Sequence, residues 1–350
     1  MKQGWEIKKL GEVCDIINGR NQKLVECVDG EYPIYGSGGV MGYASQFLCK
    51  AGTTIIGRKG TINKPIYVEE PFWNVDTAFG LQPKNTLNNK LLHYFCHYFD
   101  FLKLNKGTTI PSLVKADLLQ IPIPVPSLAE QERIVEILDR EFERIDALKA
   151  NAEQNLQHAI DLFQAALKQE LQPKEGWIVS TLQALLRLTS GDNLTAKSIV
   201  QGEYPVYGGN GIMGYHNQYN LDGLNVIVGR VGALCGNVRL VKGKIWYTDN
   251  AFLVHDKENV FYLPYLTYEL QRADLRQYAT QAAQPVVSNA SMKDVVLAAP
   301  ATKEEQELIV ARLDKLNEHC TALEENYKKT IALCDDMKQA LLRKAFNGEL

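Results

Sequence analysis

The 350-residue chain contains no apolar run long enough to cross a membrane, and its start, MKQGWEIKKLG, lacks the apolar stretch of a signal peptide. Its seven cysteines are scattered and include no Cys-x-x-Cys pair. Neither a disulfide framework nor a zinc ribbon is therefore indicated. We predict a cytoplasmic protein without a membrane association.

The sequence also lacks the motifs of several enzyme classes. The glycine-rich stretches at 35–43 and 207–215 contain no GxxxxGK[ST] sequence, which argues against nucleotide binding. No Asn or Asp precedes Pro-Pro-aromatic, the motif of base amino-methylation, and no repeated cluster of carboxylates and lysine indicates a metal nuclease. His93, Cys96 and His97 share a predicted helix, but no second pair of metal ligands accompanies them. We predict a binding protein with no catalytic residue, no metal site and no cofactor of its own.

The net charge of −3 is distributed unevenly along the chain. Residues 1–127 carry a net charge of +3 and residues 173–301 carry +1, whereas 128–172 and 302–350 carry −5 and −2. The acidic groups thus concentrate in two segments, and the remainder is mildly basic. The overall charge does not exclude a nucleic-acid partner.

These two acidic segments have the pattern of long helices. Pro126–Leu171 starts with Ser127 and Glu130 at capping-box spacing, and Thr302 and Glu305 repeat that spacing after Pro300. Apolar residues then recur every three or four positions: Ile134, Leu138, Ile145, Leu148, Ala152, Leu156, Ile160, Phe163 and Leu167 in one, and Ile309, Leu313, Leu316, Cys320, Leu323, Tyr327, Thr330, Cys334, Met337 and Leu341 in the other. Two helices of matched length in one chain are expected to pack on each other.

An internal repeat covers the whole chain. GW…L at 4–10 recurs at 176–182, and YPIYGSGGVMGY at 32–43 recurs as YPVYGGNGIMGY at 204–215. GRKG at 57–60 recurs as GRVG at 229–232, DTAF at 76–79 as DNAF at 249–252, and EQERIV at 130–135 as EQELIV at 305–310. The chain is a tandem duplication of a globular domain followed by a long helix. Its predicted parts are domains at 1–126 and 173–300 and helices at 127–172 and 301–350.

Each globular domain is predicted to be α+β with a twisted sheet. Buried strands are expected at Thr53–Gly57, Pro65–Val68, Asn225–Gly229 and Lys244–Tyr247, and helices at Asn88–Leu104 and Tyr262–Tyr278. Gly36–Gly42 and Gly208–Gly214 are expected to be loops or tight turns. Their glycines either simply fit a turn or let the backbone approach a ligand closely.

The loop at 57–64 is the strongest candidate for binding. Arg58 and its counterpart Arg230 lie between glycines after a strand, where an arginine can bind phosphate or pair with guanine. In isolation such an arginine is as readily a solvated surface residue, and Asp76 and Asp249 are interpreted as capping or turn residues. Candidate DNA-contacting residues in the first half are Arg58, Lys59, Thr61, Asn63 and Lys64 with Ser37–Tyr43. In the second half they are Arg230 and Asn237 with Asn210–His216, including Tyr215.

Together these motifs resemble the specificity subunit of type I restriction-modification systems. GTTIPSL at 107–113, PIPVPSLAEQERI at 122–134 and the terminal KAFNGEL add to the resemblance, which covers the whole chain. The second half reads QAAQPVVS at 281–288 where the first reads KGTTIPSL at 106–113.

The resemblance implies two target recognition domains joined by two helical regions that form an antiparallel coiled coil. It implies a non-catalytic subunit that binds double-stranded DNA and two methyltransferase subunits, which recruit restriction subunits. S-adenosylmethionine, ATP and Mg are then expected on those partners. Two like domains would read two half-sites about one helical turn, ~34 Å, apart.

Two alternatives remain open from the sequence. A specificity subunit whose partner fuses nuclease and methylase would share these motifs. A coiled-coil scaffold with paired protein- or glycan-binding domains agrees with the weak net basicity, although the repeated Gly-Arg loops oppose it.

Overall fold

The structure, a computed structural model, describes residues 4–280 and 283–350 of the chain. The chain folds as two units. The first comprises the chain up to Glu153 together with Lys329–Leu350, and the second comprises Gln154–Lys328. The first two residues of the QAAQPVVS stretch lie outside the described residues. No helix in the described part is long and apolar enough to span a membrane.

The first half of the chain contains nine strands, four α-helices and one 3₁₀ helix within the described residues. The strands are β1 (Glu6–Lys9), β2 (Cys14–Asn18), β3 (Tyr32–Gly36), β4 (Gly39–Ala44), β5 (Thr53–Gly57), β6 (Ile66–Val68), β7 (Trp73–Asn74), β8 (Ala78–Pro83) and β9 (Pro122–Val125). The helices are α1 (Leu10–Val13), α2 (Asn89–Tyr98), α3 (Lys115–Leu119) and α4 (Leu128–Glu170).

The second half repeats this order. Its strands are β10 (Ile178–Thr181), β11 (Leu186–Ser190), β12 (Gln201–Gly208), β13 (Gly211–His216), β14 (Leu224–Gly229), β15 (Val238–Lys242), β16 (Trp246–Tyr247), β17 (Ala251–Asp256) and β18 (Val296–Ala299). Its helices are α5 (Leu182–Leu185), α6 (Leu263–Arg272), α7 (Asn289–Met292) and α8 (Lys303–Asn347).

Each half builds three small sheets, where a single twisted sheet was expected. The first half contains the pair β1–β9, the four-stranded antiparallel order β2-β8-β5-β6 and the three-stranded order β4-β3-β7, in which β3 and β7 run parallel. The second half repeats all three as β10–β18, β11-β17-β14-β15 and β13-β12-β16. This identical topology confirms the tandem duplication and the α+β fold class.

Several expected elements are corrected by the structure. The predicted helices at 88–104 and 262–278 each divide into an α-helix and a short 3₁₀ helix, at Phe101–Leu104 and Leu275–Tyr278. The strand expected at 244–247 comprises only β16. The glycine-rich segments are β-hairpins, β3–β4 and β12–β13, because glycine also permits a strand to turn back within two residues.

The glutamine of the repeated EQE motif attaches each long helix to its globular domain. Gln131 is fully buried, and its Oε1 accepts a hydrogen bond from the Asn88 amide at 2.7 Å while its Nε2 donates to the Thr86 and Pro126 carbonyls. Gln306 makes the same three bonds to Tyr262, Val260 and Pro300. The aspartate eight residues later accepts a 2.6 Å bond from a tyrosine hydroxyl in both halves, Tyr94–Asp139 and Tyr268–Asp314. The motif therefore recurs because both helix starts need the same anchor.

Within each unit, α4 and α8 pack together. In the first unit Lys149 pairs with Asp335 and Asp146 with Lys338, an order that requires antiparallel helices. In the second unit Arg312 pairs with Glu170.

The predicted apolar stripes are buried or half-buried at all but three positions, with Cys320 and Cys334 at 2% and 1% exposure. Leu148, Leu323 and Met337 are exceptions, between 40% and 49% exposed. Small residues, Ala152 and Ala159 among them, are buried in the helix pairing.

Candidate nucleic-acid interface

Arg58 is held at the surface of the first unit by contacts that the sequence does not connect. Its amide donates to the Thr77 carbonyl at 2.8 Å, and its own carbonyl accepts from the Leu113 amide at 2.9 Å. The guanidinium lies 5.9 Å from the centre of the Phe79 ring, and Nη1 donates to the Asp76 carbonyl at 3.4 Å. These contacts fix the direction of the side chain and leave Nε and Nη2 without a partner among the described residues, so that they can receive a ligand.

Arg230 has the same surroundings in the second unit. Its amide donates to the Asn250 carbonyl at 2.8 Å, and its carbonyl accepts from Val287 at 3.0 Å. The guanidinium lies 5.4 Å from the Phe252 ring centre, and Nη1 donates to the Asp249 carbonyl at 3.3 Å. The two repeated motifs, Gly-Arg-x-Gly and Asp-x-Ala-Phe, thus form one structural feature. Asp76 and Asp249 occupy turns, as expected.

A second chain segment lies along each Gly-Arg loop. The amide of Gly60 donates to the Pro111 carbonyl at 2.9 Å, and that of Gly232 donates to the Pro285 carbonyl at 3.0 Å. The described part of 281–288 therefore holds the second Gly-Arg loop in the same way as the KGTTIPSL stretch holds the first, although the two stretches differ in sequence. The hydrogen bond is present in both halves because it joins two backbone atoms and does not depend on the side chains.

The tip of each β-hairpin also contacts the Gly-Arg loop. A Cβ atom on Gly57 would lie 2.2 Å from the Thr61 carbonyl oxygen and 3.1 Å from Ser37 Cβ, and one on Gly229 would lie 2.2 Å from the Gly209 carbonyl oxygen. Only glycine permits this approach. A register shift in each hairpin places two consecutive apolar residues at the surface: Val40 and Met41 in β4, and Ile212 and Met213 in β13.

Most of the remaining candidate residues are exposed. Lys59, Thr61, Lys64 and Asn237 are exposed, as are Tyr43 and Tyr215 at 49% and 47%. Ser37 is half-buried in the turn of its hairpin, and Asn210 is exposed with its Oδ1 accepting from the Leu234 amide at 3.0 Å.

Two candidates have internal roles. The Asn63 side chain donates to Asp100 at 2.7 Å and accepts from the Phe101 amide at 2.8 Å, which occupies both ends of its amide group. His216 is 7% exposed, its Nδ1 lies 3.0 Å from the Val200 amide nitrogen, and its ring packs edge-on against Trp246. Asn63 is exposed and His216 is buried, and residue type alone does not reveal that both side chains already have partners within the domain.

His93 and His97 lie on one face of α2, with ring centres 4.6 Å apart. Burial, and next the neighbouring His97, lowers the pKa of His93 to about 3. Burial also lowers the pKa of His97. Within 4–280 and 283–350, no group of three or more His, Cys, Asp or Glu side chains is arranged to hold a metal ion. His93 is half-buried and packs against the rings of Tyr67 and Tyr94, whereas His97 is exposed.

A family model described as the type I restriction modification DNA specificity domain matches residues 2–158 and again residues 174–333. The chain belongs to this family. This confirms the resemblance inferred from the motifs, and the two matches coincide with the two halves of the duplication.

Individual relatives of this specificity-domain family support the assignment. The EcoprrI specificity subunit of Escherichia coli is 31% identical over 252 residues, which are 65% of this chain and 61% of the relative. The StySPI specificity subunit of Salmonella potsdam is 26% identical over 347 residues, covering 84% of this chain and 73% of the relative. The match to the first thus spans about three-fifths of the relative's length.

Solved structures share the fold. A chain from a structural study of complex assembly and conformational transition of the type I R-M system superposes with a TM-score of 0.80 at 18% identity, covering 100% of this chain and 99% of that one. The HsdS subunit from Thermoanaerobacter tengcongensis gives a TM-score of 0.55 at 18% identity, covering 100% and 98%.

Proposed function

We propose that the chain is the DNA sequence-specificity subunit of a type I restriction-modification complex. Each half would recognise one half-site of a bipartite double-stranded site. The observation that carries the proposal is the occurrence, in two tandem domains of this family, of the same arginine held in the same direction by a Phe ring and an Asp carbonyl. Two like sites in one chain suit a target with two like parts.

The phosphate backbone is common to both half-sites. Residues that are the same in both halves of the chain are therefore assigned to phosphate contacts. Arg58 would bind a phosphate through Nε and Nη2, and Arg230, whose Nε is buried, would bind one through Nη2. Each would position its domain on the duplex. Exposed residues that differ between the halves are assigned to base reading. Lys59, Thr61 and Lys64 belong to this class, because the second half has Val231, Ala233 and Gly236 at these positions.

The chain itself would be non-catalytic. The partners would be two methyltransferase subunits and, in the complete assembly, restriction subunits, with S-adenosylmethionine, ATP and Mg bound by those partners. The repeated Gln131 and Gln306 anchors support two equivalent docking positions, since each sets the start of a long helix against its domain in the same way.

The test is a selection from random duplexes, using the full chain with its methyltransferase partner. Two short conserved blocks at a fixed separation are expected. One block would mean that only one domain recognises DNA. A stable complex that enriches no sequence would contradict the proposal and favour the scaffold with protein- or glycan-binding domains.

A further inference from the structure

A third loop lies next to the Asp turn in each half. It follows β2 as NGRN at 18–21 and β11 as SGDN at 190–193. The amides of Gly19 and Arg20 donate to the Ala78 and Asn74 carbonyls, and Trp73 Nε1 donates to the Arg20 carbonyl at 3.0 Å.

The loop after β11 has the same backbone contacts. The amides of Gly191 and Asp192 donate to the Ala251 and Tyr247 carbonyls, and Trp246 Nε1 donates to the Asp192 carbonyl at 3.3 Å. One backbone frame therefore presents Arg20 in the first half and Asp192 in the second. Both side chains are exposed, and they carry opposite charges.

The carboxylate of Asp192 is held in a defined direction. Asn220 Nδ2 donates to Asp192 Oδ2 at 2.8 Å, and Asn220 Oδ1 accepts from the Tyr247 amide at 2.9 Å. The first half has Leu48 at the position of Asn220. Each of the two residues donates its amide to the carbonyl of the residue before the equivalent strand, Phe72 before β7 and Ile245 before β16. The second half, which has Asp192, thus also has a polar side chain that holds the carboxylate, whereas the first half has an apolar residue at the equivalent position.

The loop adjoins the arginine proposed to bind phosphate. Ser190 Oγ, two residues before Asp192, accepts a hydrogen bond from Arg230 Nη1 at 3.3 Å. A carboxylate at a DNA surface is repelled by phosphates, so its position is favourable only where it accepts from an amino group on a base edge. In the major groove, cytosine N4 is the donor that Asp and Glu accept from, and guanine O6 and N7 are the acceptors that Arg pairs with.

We infer that Asp192 and Arg20 are specificity-determining residues at equivalent positions of the two half-sites. Asp192 reads a cytosine of the second half-site through its N4 amino group. Arg20 reads a guanine of the first half-site. Asn220 is a positioning residue for the Asp192 carboxylate. The inference rests on the proposed function and adds the base contacts that distinguish the two halves.

The experiment is the selection from random duplexes repeated with the full chain and its methyltransferase partner, comparing wild type with Asp192→Ala and Asp192→Asn. Wild type is expected to require cytosine at one position of the second block. Asp192→Ala should reduce that preference about 10- to 100-fold and leave the first block unchanged. Asp192→Asn, which keeps the shape of the side chain, should shift the preference at that position towards adenine, the base that Asn pairs with.

The reciprocal variant tests the first half. Arg20→Ala should relax one guanine of the first block by a similar factor, with the second block and the salt dependence unchanged. Asn220→Leu, which copies the first half, should weaken the same cytosine preference as Asp192→Ala but to a smaller extent, since the carboxylate remains.

The outcomes separate this inference from the proposed function. If wild type enriches no sequence blocks, the proposed function fails. If wild type enriches two blocks and Asp192→Ala and Asp192→Asn enrich the same bases, the assignment of Asp192 is overturned. An equal loss of affinity for all duplexes in Arg20→Ala, with a smaller salt dependence, would make Arg20 a phosphate contact and overturn its assignment.

Discussion

At the level of single residues, Arg58 and Arg230 show how one binding element is built twice. Each guanidinium is held by its contact with a Phe ring and by an Nη1 hydrogen bond to an Asp carbonyl, and Arg230 Nη1 also donates to Ser190 Oγ. Holding the side chain before binding reduces the conformational entropy lost when a ligand arrives. A side chain held in this way suits a contact with a phosphate, whose geometry differs little from one DNA sequence to another.

Arg58→Ala should therefore weaken binding to all duplexes by a similar factor, about tenfold, because a charged hydrogen bond to a phosphate is lost. The slope of log affinity against log salt concentration should fall by about 1. Titrations of the full chain at several salt concentrations measure both quantities. Arg230→Ala is the matched variant and should behave alike. A loss confined to duplexes with one particular base would instead identify Arg58 as a base contact.

Gln131→Ala should destabilise the first unit by about 3 kcal/mol, since the buried Asn88 amide and two carbonyls lose their partner. Gln157→Ala is the control on the same helix. That side chain is exposed and bonds only to Asp161 among the described residues, so a change within about 0.5 kcal/mol is expected. Denaturant unfolding compares the two. If both variants lose the same free energy of unfolding, the three buried hydrogen bonds of Gln131 contribute little to stability.

Among the elements, the last turns of α8 belong to the core of the first unit. Leu342, Ala345 and Phe346 are at most 7% exposed there, and the Phe346 ring lies 5.5 Å from Phe95 and 5.1 Å from Tyr98, centre to centre. The first globular domain is thus completed by residues that follow it by more than two hundred positions in the sequence. Its stability depends on the end of the chain.

Phe346→Ala should destabilise the first unit by about 3–5 kcal/mol through loss of buried aromatic surface. Met337→Ala, at an exposed position of the same helix, is the control. Amide hydrogen exchange resolves the effect by unit. Exchange is expected to become faster in β5 and α2 and to stay unchanged in β14. A uniform increase in both units would contradict a local role for Phe346.

Helix α2 should make the first unit sensitive to acid. His93 stays neutral in the folded state because its pKa is lowered to about 3, chiefly by burial, whereas in the unfolded chain its pKa is about 6.5. Its contribution to stability is therefore complete above pH 6.5 and is lost as the pH falls towards 3, by up to about 1.4 kcal/mol per pH unit.

Unfolding midpoints at pH 7.5 and pH 5 test this contribution in wild type and His93→Gln. The variant should lose less stability between the two pH values, because glutamine takes up no proton on unfolding. If the wild type and the variant lose the same stability, His93 is not the group responsible. Thr267, the counterpart of His93 in α6, cannot titrate, so no equivalent effect is expected from that position.

For the whole molecule, α4 and α8 are the two elements shared by both units. Helix α4 passes from the first unit to the second between Glu153 and Gln154, and α8 passes back between Lys328 and Lys329. If each domain reads one half-site, we expect the number of unread base pairs between the half-sites to depend on the length of these helices.

One heptad inserted into both helices at these points should lengthen the spacer by about 3 base pairs, since seven residues add ~10 Å. The bases of the two half-sites should not change, because the heptad keeps the apolar stripe on its face. Selection from random duplexes measures both. A changed half-site with an unchanged spacer would contradict this role of the helices. Insertion into α4 alone is the control and should destabilise the pairing of the helices.

The sequence by itself determined the duplication, the two long helices and the family. Repeats and helical periodicity are properties of residues that lie near each other along the chain, so they can be read without knowing which distant residues meet. Strand β5 and the helix starts were predicted for this reason. The glycine-rich segments were corrected because glycine is compatible with both a loop and a strand, as in the β3–β4 hairpin.

Only the tertiary structure decided which repeated motifs work together. Arg58 meets Asp76 and Phe79, and Gln131 meets Asn88, through contacts between residues about 20 to 40 positions apart. Arg20 and Asp192 have no shared side-chain chemistry, and their equivalence depends on the backbone bonds and tryptophans that hold both loops alike. Long-range contacts between different residue types leave no periodic pattern in a single sequence, and therefore the arrangement of the candidate interface required the fold.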